Sequence, residues 1–334
     1  MAAPMRLATY NVEWFTNLFD RDGRPLHDAE WSGRHDVTRA AQLAALGHVF
    51  RAVDADAVMI IEAPDTSRKR RTEDALRQFA DHYGLRTTEV VTGFANDTQQ
   101  EIALLFDPSR LQAAHAPGQS DDAPRFDGTF HIDLDIDASE DRVQFSKPPL
   151  ELAVRTAAGT DVQLIGIHLK SKAPHGARSR DEIMRRSIAN RRKQLAQAVW
   201  LRARVDAHLK AGTSLIVLGD LNDGPGLDEY EHLFGRSSVE VVIGAEMYDP
   251  HARQALQRRL GAYPSTARFL IRPEQRYLQA LLDYVMISPD LMQRDPVWRI
   301  WHPFDDAACW QDVALRQALL TASDHFPVVL DLDI

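Results

Sequence analysis

The sequence predicts an α/β protein in which mixed β-sheets carry helices on their outside. Short apolar runs bounded by turn residues, typical of buried strands, alternate with segments whose apolar side chains recur at helical spacing. Several strand-like runs also follow one another without a helix between them. Because the chain combines both kinds of connection, we expect mixed sheets rather than purely parallel ones.

The composition is that of an ordinary globular protein, with 44% hydrophobic and 26% charged residues. Large α/β folds reach 334 residues as one unit, so we expect residues 1–334 to form a single domain. The formal net charge of −9 argues against coating of nucleic acid by bulk attraction, although a local basic surface can still attract a polyanion. The single cysteine, Cys309, excludes an intramolecular disulfide.

The N-terminal segment lacks a charged region followed by a long apolar core. No apolar run approaches the ~18 residues that a membrane-spanning helix needs. We therefore expect a soluble, cytoplasmic protein without a membrane span. We also expect a monomer. A protein whose leader had already been removed would show the same pattern.

Eleven runs have the apolar or alternating character of strands. They are residues 5–10, 57–61, 101–106, 129–136, 150–156, 162–167, 214–218, 239–243, 267–271, 282–287 and 326–332. Helical spacing predicts helices over residues 36–53 and 72–83, the second with Thr72 as its N-cap. A basic helix is expected from residue 181 to about 210, and a short one from Leu227. Residues 114–128 are predicted to be a surface loop.

The segment LIVLGDLNDGPG, residues 215–226, joins an apolar run to a group of polar residues. Asp220 and Asn222 lie two residues apart, so an extended chain would point both side chains the same way, into one site. An Asx turn that ends the strand is the alternative, and this segment alone slightly favours the turn.

Other apolar strands also have chemically useful residues at their margins. These residues are Asn11, Glu62, His168, Asp283, Asp324 and His325. Strand ends at one edge of a sheet converge, and that edge is where α/β proteins usually place ligand sites. Turns alone do not explain so many such residues, so the pattern favours a common site.

Six short motifs, in this order along nearly the whole chain, resemble those of the endonuclease/exonuclease/phosphatase superfamily. This superfamily includes DNase I-like nucleases, exonuclease III-like repair enzymes, neutral sphingomyelinases and inositol polyphosphate 5-phosphatases. The motifs are Tyr10-Asn11-Val12, Ile61-Glu62-Ala63, His168-Leu169-Lys170-Ser171, Gly219-Asp220-Leu221-Asn222, Asp283-Tyr284-Val285 and Ser323-Asp324-His325. The version HLKSK, followed by Asn190, Arg191 and Gln194, is most similar to bacterial nuclease-like members.

The sequence departs from the family pattern at three places. The second motif more often reads Gln-Glu-Val, and Lys147 stands where many relatives have an arginine before the prolines. Residues 295–322 form a longer, tryptophan-rich connection. Its Trp298, Trp301 and Trp310 are expected to be core residues, with a substrate wall as the alternative.

The resemblance implies a four-layer α/β sandwich, with two mixed sheets packed face to face and helices outside. It also implies that Glu62 holds the principal metal ion and that Asn11 and Asp324 complete or support this site. Carboxylate and amide oxygens without a Cys/His cluster favour Mg²⁺ or Mn²⁺, with Ca²⁺ also possible, over zinc.

The resemblance also implies catalytic roles. His325 would lie nearest the attacking water with Asp283 as its orienting partner, and Asp220 is the other candidate base. Asn222 would position water or phosphate. His168 would donate to a phosphoryl oxygen, and a core histidine that closes its strand is the alternative.

Basic residues are concentrated near two of the motifs. Arg68, Lys69, Arg70 and Arg71 follow Glu62, whereas Lys170 and Lys172 flank His168 and precede a basic helix that contains Arg191. We expect Arg68, Arg70, Lys170, Lys172 and Arg191 to contact substrate phosphates. A solvated helix face with Arg/Glu pairs is the alternative for the helix.

These observations favour divalent-metal-dependent hydrolysis of phosphodiester bonds, with nucleic acid as the substrate. Hydrolysis of a smaller phosphate ester, such as a nucleotide, inositol phosphate or phospholipid headgroup, is the alternative, since the fold hosts both. A binding module without activity would be expected to lack at least one of Glu62, Asp220, Asp324 and His325, and all are present.

Overall fold

The structure of the protein is a computed structural model that describes residues 4–134, 141–174, 176–177, 179–224, 235–257, 263–271 and 275–334. Its strands are β1 Met5–Asn11, β2 Ala57–Ala63, β3 Glu89–Thr92, β4 Glu101–Phe106, β5 Leu111–His115, β6 Phe130–Ile132, β7 Asp141–Val143, β8 Leu150–Thr156, β9 Asp161–His168, β10 Leu215–Asp220, β11 Ala267–Ile271, β12 Arg276–Ala280, β13 Asp283–Ile287, β14 Val297–Ile300 and β15 Val328–Leu332. Its α-helices are α1 Arg39–Val53, α2 Thr72–Tyr83, α3 Arg180–Lys210, α4 Ser238–Ile243, α5 Pro250–Leu256, α6 Ala307–Gln311 and α7 Val313–Ala322.

Two mixed sheets contain most of the strands. The first has the order β14-β15-β1-β2-β4-β3, and the second has the order β13-β10-β9-β8-β5. Strands β1 and β2 are parallel, as are β9 and β10, whereas the other neighbouring pairs are antiparallel. Two separate hairpins, β6–β7 and β11–β12, lie outside these sheets.

The two sheets share one apolar core between their inner faces. Met59 and Leu104 of the first sheet lie in the same cluster as Leu164 and Ile216 of the second. The sheets approach closely at Gly166, because a Cβ atom on this residue would lie 2.4 Å from Met59 Sδ. A larger residue at position 166 would therefore displace the Met59 side chain from the core between the sheets.

Helices cover the outer face of each sheet. Leu46, Phe79 and Leu319, from α1, α2 and α7, pack over the first sheet. Trp200 and Val242, from α3 and α4, pack over the second. The layers run helices, sheet, sheet, helices, so the predicted four-layer sandwich is confirmed. No helix in the described ranges is long and apolar enough to cross a membrane.

The strand predicted at residues 239–243 is wrong, because these residues belong to helix α4. The Ser237 side chain accepts a hydrogen bond from Glu240 N, and the Glu240 side chain accepts one from Ser237 N. This capping box, together with packing of the valines over the second sheet, outweighs the preference of β-branched residues for strands.

Other differences from the prediction are smaller. Helix α2 has its predicted bounds, but Arg71 is its N-cap and the Thr72 hydroxyl donates to Pro64 O at 2.6 Å. The strand predicted at residues 129–136 is short, and its last two residues lie outside the described part, as does the helix predicted from Leu227. The sequence did not identify β3, β5, β7, β12, β14, α5, α6 or α7.

The tryptophan-rich connection forms β14, α6 and α7. Trp301 is buried, and half-buried Trp298 donates its Nε1–H to Val285 O at 2.8 Å, so the prediction of core residues is confirmed for both. It is wrong for Trp310, whose indole is 52% exposed because the residue lies on the outer side of a short surface helix.

Asp306 joins β14 to α6. Its carboxylate accepts from Cys309 N as the helix cap and from the Arg299 guanidinium through two bonds of 2.8 Å. The hydrogen bonds from Arg299 lower the pKa of Asp306 to about 2. Because the pKa of this carboxyl is lower in the folded state, its ionised form stabilises the protein at pH values above its ordinary pKa of 3.8. This contribution is lost as the pH falls through about 2.

We therefore expect Asp306→Ala to lower the free energy of unfolding by about 1 kcal/mol near neutral pH. The difference from wild type should shrink between about pH 4 and pH 2, and urea unfolding followed by circular dichroism measures it. Asp312→Ala, which removes the N-cap of α7, is the control for capping alone. A difference that stays constant across this pH range would contradict the ionic contribution.

Candidate active site

Side chains from both sheets meet at one edge of the sandwich. Strands β9 and β10 are parallel and end there, and antiparallel β13 begins there. In this register Asp220 lies between His168 on one side and Asp283 on the other. The ends of β1 and β2 bring Asn11 and Glu62 to the corresponding edge of the first sheet.

Asp220 is buried, and three N–H groups hold its carboxylate. Asn222 N donates to Oδ1 at 2.7 Å, and the side-chain amides of Asn11 and Asn222 donate to Oδ2 at 3.0 and 3.2 Å. The hydrogen bond from Asn222 N closes an Asx turn. The turn and the common site, which were alternatives in the sequence, therefore occur together. Position 219 requires glycine, because its φ is 136° and a Cβ atom there would lie 2.1 Å from Ile167 O.

His325 and Asp283 form a buried pair. The imidazole Nδ1 donates to Asp283 Oδ2 at 2.7 Å, and Thr266 Oγ1 donates to the same oxygen at 2.8 Å. Burial alone would lower the pKa of His325, but the carboxylates of Asp283, Asp220 and Asp324 raise it well above its ordinary value. These carboxylates therefore favour the protonated form of the ring.

The proximity of these groups also affects Asp220. Burial, and after it the charge of Asp283, raises the pKa of Asp220 to about 7, against the opposing charge of His325. Asp220 thus differs from an ordinary surface carboxylate, because it holds a proton far more readily.

His168 lies on the other side of Asp220. Its Nε2 is 3.7 Å from Asp220 Oδ2 and accepts a hydrogen bond from Lys147 Nζ at 3.0 Å. Burial and the nearby Lys147 charge lower the pKa of His168 well below its ordinary value, so the ring is neutral. Lys147 Nζ also donates to Gln100 Oε1 at 2.8 Å, and burial lowers its pKa to about 8.

Glu62 lies at an irregularity in the pairing of β2 with β4 and has φ 63°. Burial raises its pKa, while the charges of Lys147 and His325 oppose this rise and that of Asp324 adds to it. Glu62 therefore shares an electrostatic environment with residues of the sixth motif, although this motif lies at the opposite end of the chain.

Asp324 lies beside a second acidic group that the sequence did not identify. Arg34 pairs with Glu13 and lies 3.9 Å from Asp324. Burial, and after it the charge of Asp324, raises the pKa of Glu13 to about 8. Ser323 Oγ donates to Asn11 O at 2.7 Å and thereby ties the last motif to the first.

The donor atoms at this edge suit a hard divalent cation. Asn11 Nδ2 is used by Asp220, but the buried Oδ1 atom of Asn11 has no hydrogen-bond partner among the described residues, as expected for an oxygen that faces a cation. The buried Oδ1 atom of Asp283 also lacks a hydrogen-bond partner among the described residues, and carboxylate oxygens of Asp220 and Asp283 lie within 4.8 Å of each other. The residues present therefore fit a divalent metal.

Two of the predicted phosphate-binding residues have structural partners instead. Arg70 pairs with Asp65 and donates to Thr16 O and Phe19 O at 3.2 and 3.1 Å, which ties its loop to the chain after β1. The Arg191 side chain is 1% exposed and donates to Asp223 Oδ2 at 2.6 Å. The predicted substrate contacts of these two residues are thus corrected, because their guanidinium groups are already used.

The other predicted basic residues differ in exposure. Arg68, Lys69 and Arg71 are exposed on the loop after β2. Lys170 is half-buried, and its charge lowers the pKa of both Lys147 and His168, so it lies near the site. Lys172 donates to Asp223 Oδ1 at 2.7 Å.

Asp223, directly after the fourth motif, is the centre of a buried ionic cluster. It accepts from Lys172, Arg191 and Ser238 N. Gln194 donates to Asn222 O at 3.0 Å and to Lys170 O at 2.8 Å. Helix α3 therefore supports the third and fourth motifs from behind.

Five neighbours of the site had no role in the sequence-based prediction. They are Lys147, Glu13, Arg34, Thr266 and Ser323. Lys147 carried a signal as a departure from the family pattern, and Glu13 and Ser323 lie beside or within motifs. Arg34 and Thr266 had none, because each reaches the site only through the folded chain.

Comparison with known families gives a match over residues 8–325 to the family described as "Endonuclease/Exonuclease/phosphatase family". The chain belongs to this family. It is accordingly a phosphoric ester hydrolase, and enzymes of this family depend on divalent metal ions. No curated protein matches the sequence.

Solved structures share the fold at low sequence identity. Truncated TDP2 from Caenorhabditis elegans is 14% identical with a TM-score of 0.51, over 98% of this chain and 97% of that one. An endonuclease/exonuclease/phosphatase family protein from Bacteroides thetaiotaomicron is 12% identical with a TM-score of 0.52, over 98% and 97%. A variant of the 3′ phosphatase NExo from Neisseria, bound to a product DNA hairpin, is 13% identical with a TM-score of 0.51, over 99% and 100%.

The ion pairs of Asp223 lead to a stability prediction. Removal of one partner from a buried pair leaves an uncompensated charge, so Asp223→Ala should lower the free energy of unfolding by about 3–5 kcal/mol. Asp141→Ala removes the half-exposed pair with Arg192, which lies 2.8 Å away, and should cost at most about 1 kcal/mol. Urea unfolding of both variants measures this, and similar losses would contradict the central role of Asp223.

Proposed function

We propose that the protein is a nuclease that hydrolyses phosphodiester bonds in nucleic acid with Mg²⁺ or Mn²⁺. The observation that carries the nucleic-acid substrate is the exposed basic loop, Arg68, Lys69 and Arg71, directly after the strand that supplies Glu62. A substrate with one phosphate has no use for cations beyond the site, whereas a polynucleotide has phosphates on both sides of the one that is cleaved. The DNA product bound to the Neisseria phosphatase supports this choice.

Glu62, Asn11 and Asp324 are proposed to hold the principal metal. The unpartnered Oδ1 atom of Asn11 supports this assignment, as does the electrostatic coupling between Glu62 and Asp324. When bound, the ion would neutralise charge that develops on the phosphoryl oxygens.

We assign the proton-accepting role to Asp220 and not to His325. Asn11 and Asn222 fix the Asp220 carboxylate, which is the geometry that a general base needs. The bond from His325 Nδ1 to Asp283 favours the protonated ring, which donates and does not accept. His325 would therefore bind a phosphoryl oxygen. Lys147 and the neutral ring of His168 lie on the other side of Asp220.

Activity tests this mechanism. Purified protein should cleave single-stranded DNA, plasmid or RNA with Mg²⁺ or Mn²⁺ and lose this activity in EDTA. Asp220→Asn should lower kcat about 10²–10⁴-fold, because general-base catalysis contributes about that much. Asp290→Asn is the control, since the Asp290 carboxylate accepts hydrogen bonds from Ser214 and Ser288 at the opposite end of β10. Full activity in Asp220→Asn, or activity that survives EDTA, would refute the mechanism.

The substrate class has its own test. The double charge reversal Arg68→Glu with Lys69→Glu should raise KM for DNA. It should also reduce the slope of a plot of the logarithm of the binding constant against the logarithm of the salt concentration by about 2, about one for each lost phosphate contact. Cleavage of bis-p-nitrophenyl phosphate should not change.

Arg155→Glu with Lys210→Glu makes the same change in net charge and is the control. Arg155 pairs with Asp161 at the start of β9, and Lys210 ends α3, so both lie away from the site edge. Equal effects of the two double variants on KM would assign the change to net charge and refute the basic loop as a binding surface. Hydrolysis of inositol phosphates or sphingomyelin but not of nucleic acid would establish the small-ester alternative.

A further inference from the structure

A small cavity opens beside Glu62, on the side of the site that faces the basic loop. Its walls are Trp14, Phe15, Thr16, Glu62 and residues 98–100. The empty space in it, with its open mouth included, is about 250 Å³. Because Glu62, a proposed metal ligand, lines the cavity, the cavity lies next to the proposed metal site.

Trp14 gives this cavity an aromatic surface. Its side chain is 45% exposed, whereas the adjacent Phe15 is fully buried, so the indole is not part of the core. Gly33 lies behind it, and a Cβ atom on Gly33 would lie 2.8 Å from Trp14 Cγ. The glycine thus lets the backbone approach the indole closely and limits where the indole can move.

The backbone around the cavity is unusual as well. Trp14, Glu62 and Gln99 have φ values of 59°, 63° and 61°, in the left-handed region that residues other than glycine rarely adopt. Eight such residues occur in the described ranges, and three of them line this one cavity. Strained conformations of this kind concentrate at ligand sites, where the surrounding structure maintains them.

The cavity is also tied to the basic loop. Arg70 donates to Thr16 O at 3.2 Å and to Thr16 Oγ1 at 2.6 Å, so the loop that carries exposed Arg68 and Lys69 is fixed to the cavity wall. An aromatic face beside cations is the combination with which proteins bind single-stranded nucleic acid, because bases stack on the ring while cations contact the backbone.

We propose that Trp14 stacks a nucleobase of the substrate strand, next to the phosphate that is cleaved. This inference rests on the proposed nuclease function and adds a preference to it. A base that stacks on Trp14 must leave its own helix, so single-stranded or frayed ends are favoured over intact duplex. Thr98, Gln99 and Gln100 line the same cavity and offer polar groups to the edge of such a base.

Fluorescence of 2-aminopurine tests the stacking directly. The probe is the trinucleotide T-(2-aminopurine)-T, added to the full-length protein in EDTA so that no cleavage occurs. Wild type should quench the emission on binding, because stacking on an indole quenches this base. Trp14→Ala should lose the quenching and raise Kd about 5- to 100-fold, as expected for the loss of one base stack.

Three variants make the result specific. Trp14→Phe keeps an aromatic ring and should keep most of the quenching, whereas Trp14→Leu keeps apolar volume without the ring and should lose it. Trp310→Ala removes an indole of similar exposure that does not line the cavity, and it should behave as wild type. If Trp14→Ala does not fold, the Phe and Leu variants provide the comparison.

Two results would overturn the proposal: quenching and Kd that are equal in Trp14→Leu and wild type, or equal losses in Trp14→Ala and Trp310→Ala. Steady-state cleavage adds a second measurement, in which Trp14→Leu should raise KM for single-stranded DNA and leave KM for duplex unchanged. Failure of wild type to cleave any nucleic acid would instead contradict the proposed function. The two failures are therefore distinguishable.

Discussion

The hydrogen bond from Asn11 to Asp220 joins the two sheets at the edge where the site lies. A buried carboxylate is costly unless hydrogen bonds satisfy it, and two of the three N–H groups that hold Asp220 come from Asn222 in its own motif. The third comes from Asn11 in the other sheet. The distance between the sheets, set by packing around Gly166 and Met59, is therefore also a condition for the site.

The charges at this edge depend on one another. Burial makes the carboxylates of Glu62 and Asp220 harder to ionise, while the cations of Lys147 and His325 partly offset this effect. Each cation in turn is held by a partner, Lys147 by Gln100 and His325 by Asp283. Such an arrangement is poised to receive further positive charge from a metal ion and negative charge from a phosphate, which is what phosphate ester hydrolysis requires.

A second layer of interactions keeps this arrangement in place from outside the sheets. Helix α3 contributes Arg191 to the ionic centre at Asp223 and Gln194 to the backbone of the third and fourth motifs. Arg70 has a comparable role on the first sheet, where it binds the loop after β1 to the loop after β2. Arginines that the sequence associated with substrate thus stabilise the loops around the site.

The sequence by itself determined the fold class, most strands, the three longest helices and the polar residues at the strand ends, because periodicity, strand margins and motif order are local properties of the chain. Only the tertiary structure decided which basic residues are available and that Lys147, Arg34 and Trp14 lie at the site. Burial, ion pairing and electrostatic shifts depend on contacts between residues far apart in sequence. In the sequence, Arg68 and Arg70 are therefore two similar members of one basic run. In the folded chain, Arg68 is exposed, whereas Arg70 is paired with Asp65 and donates to Thr16 O.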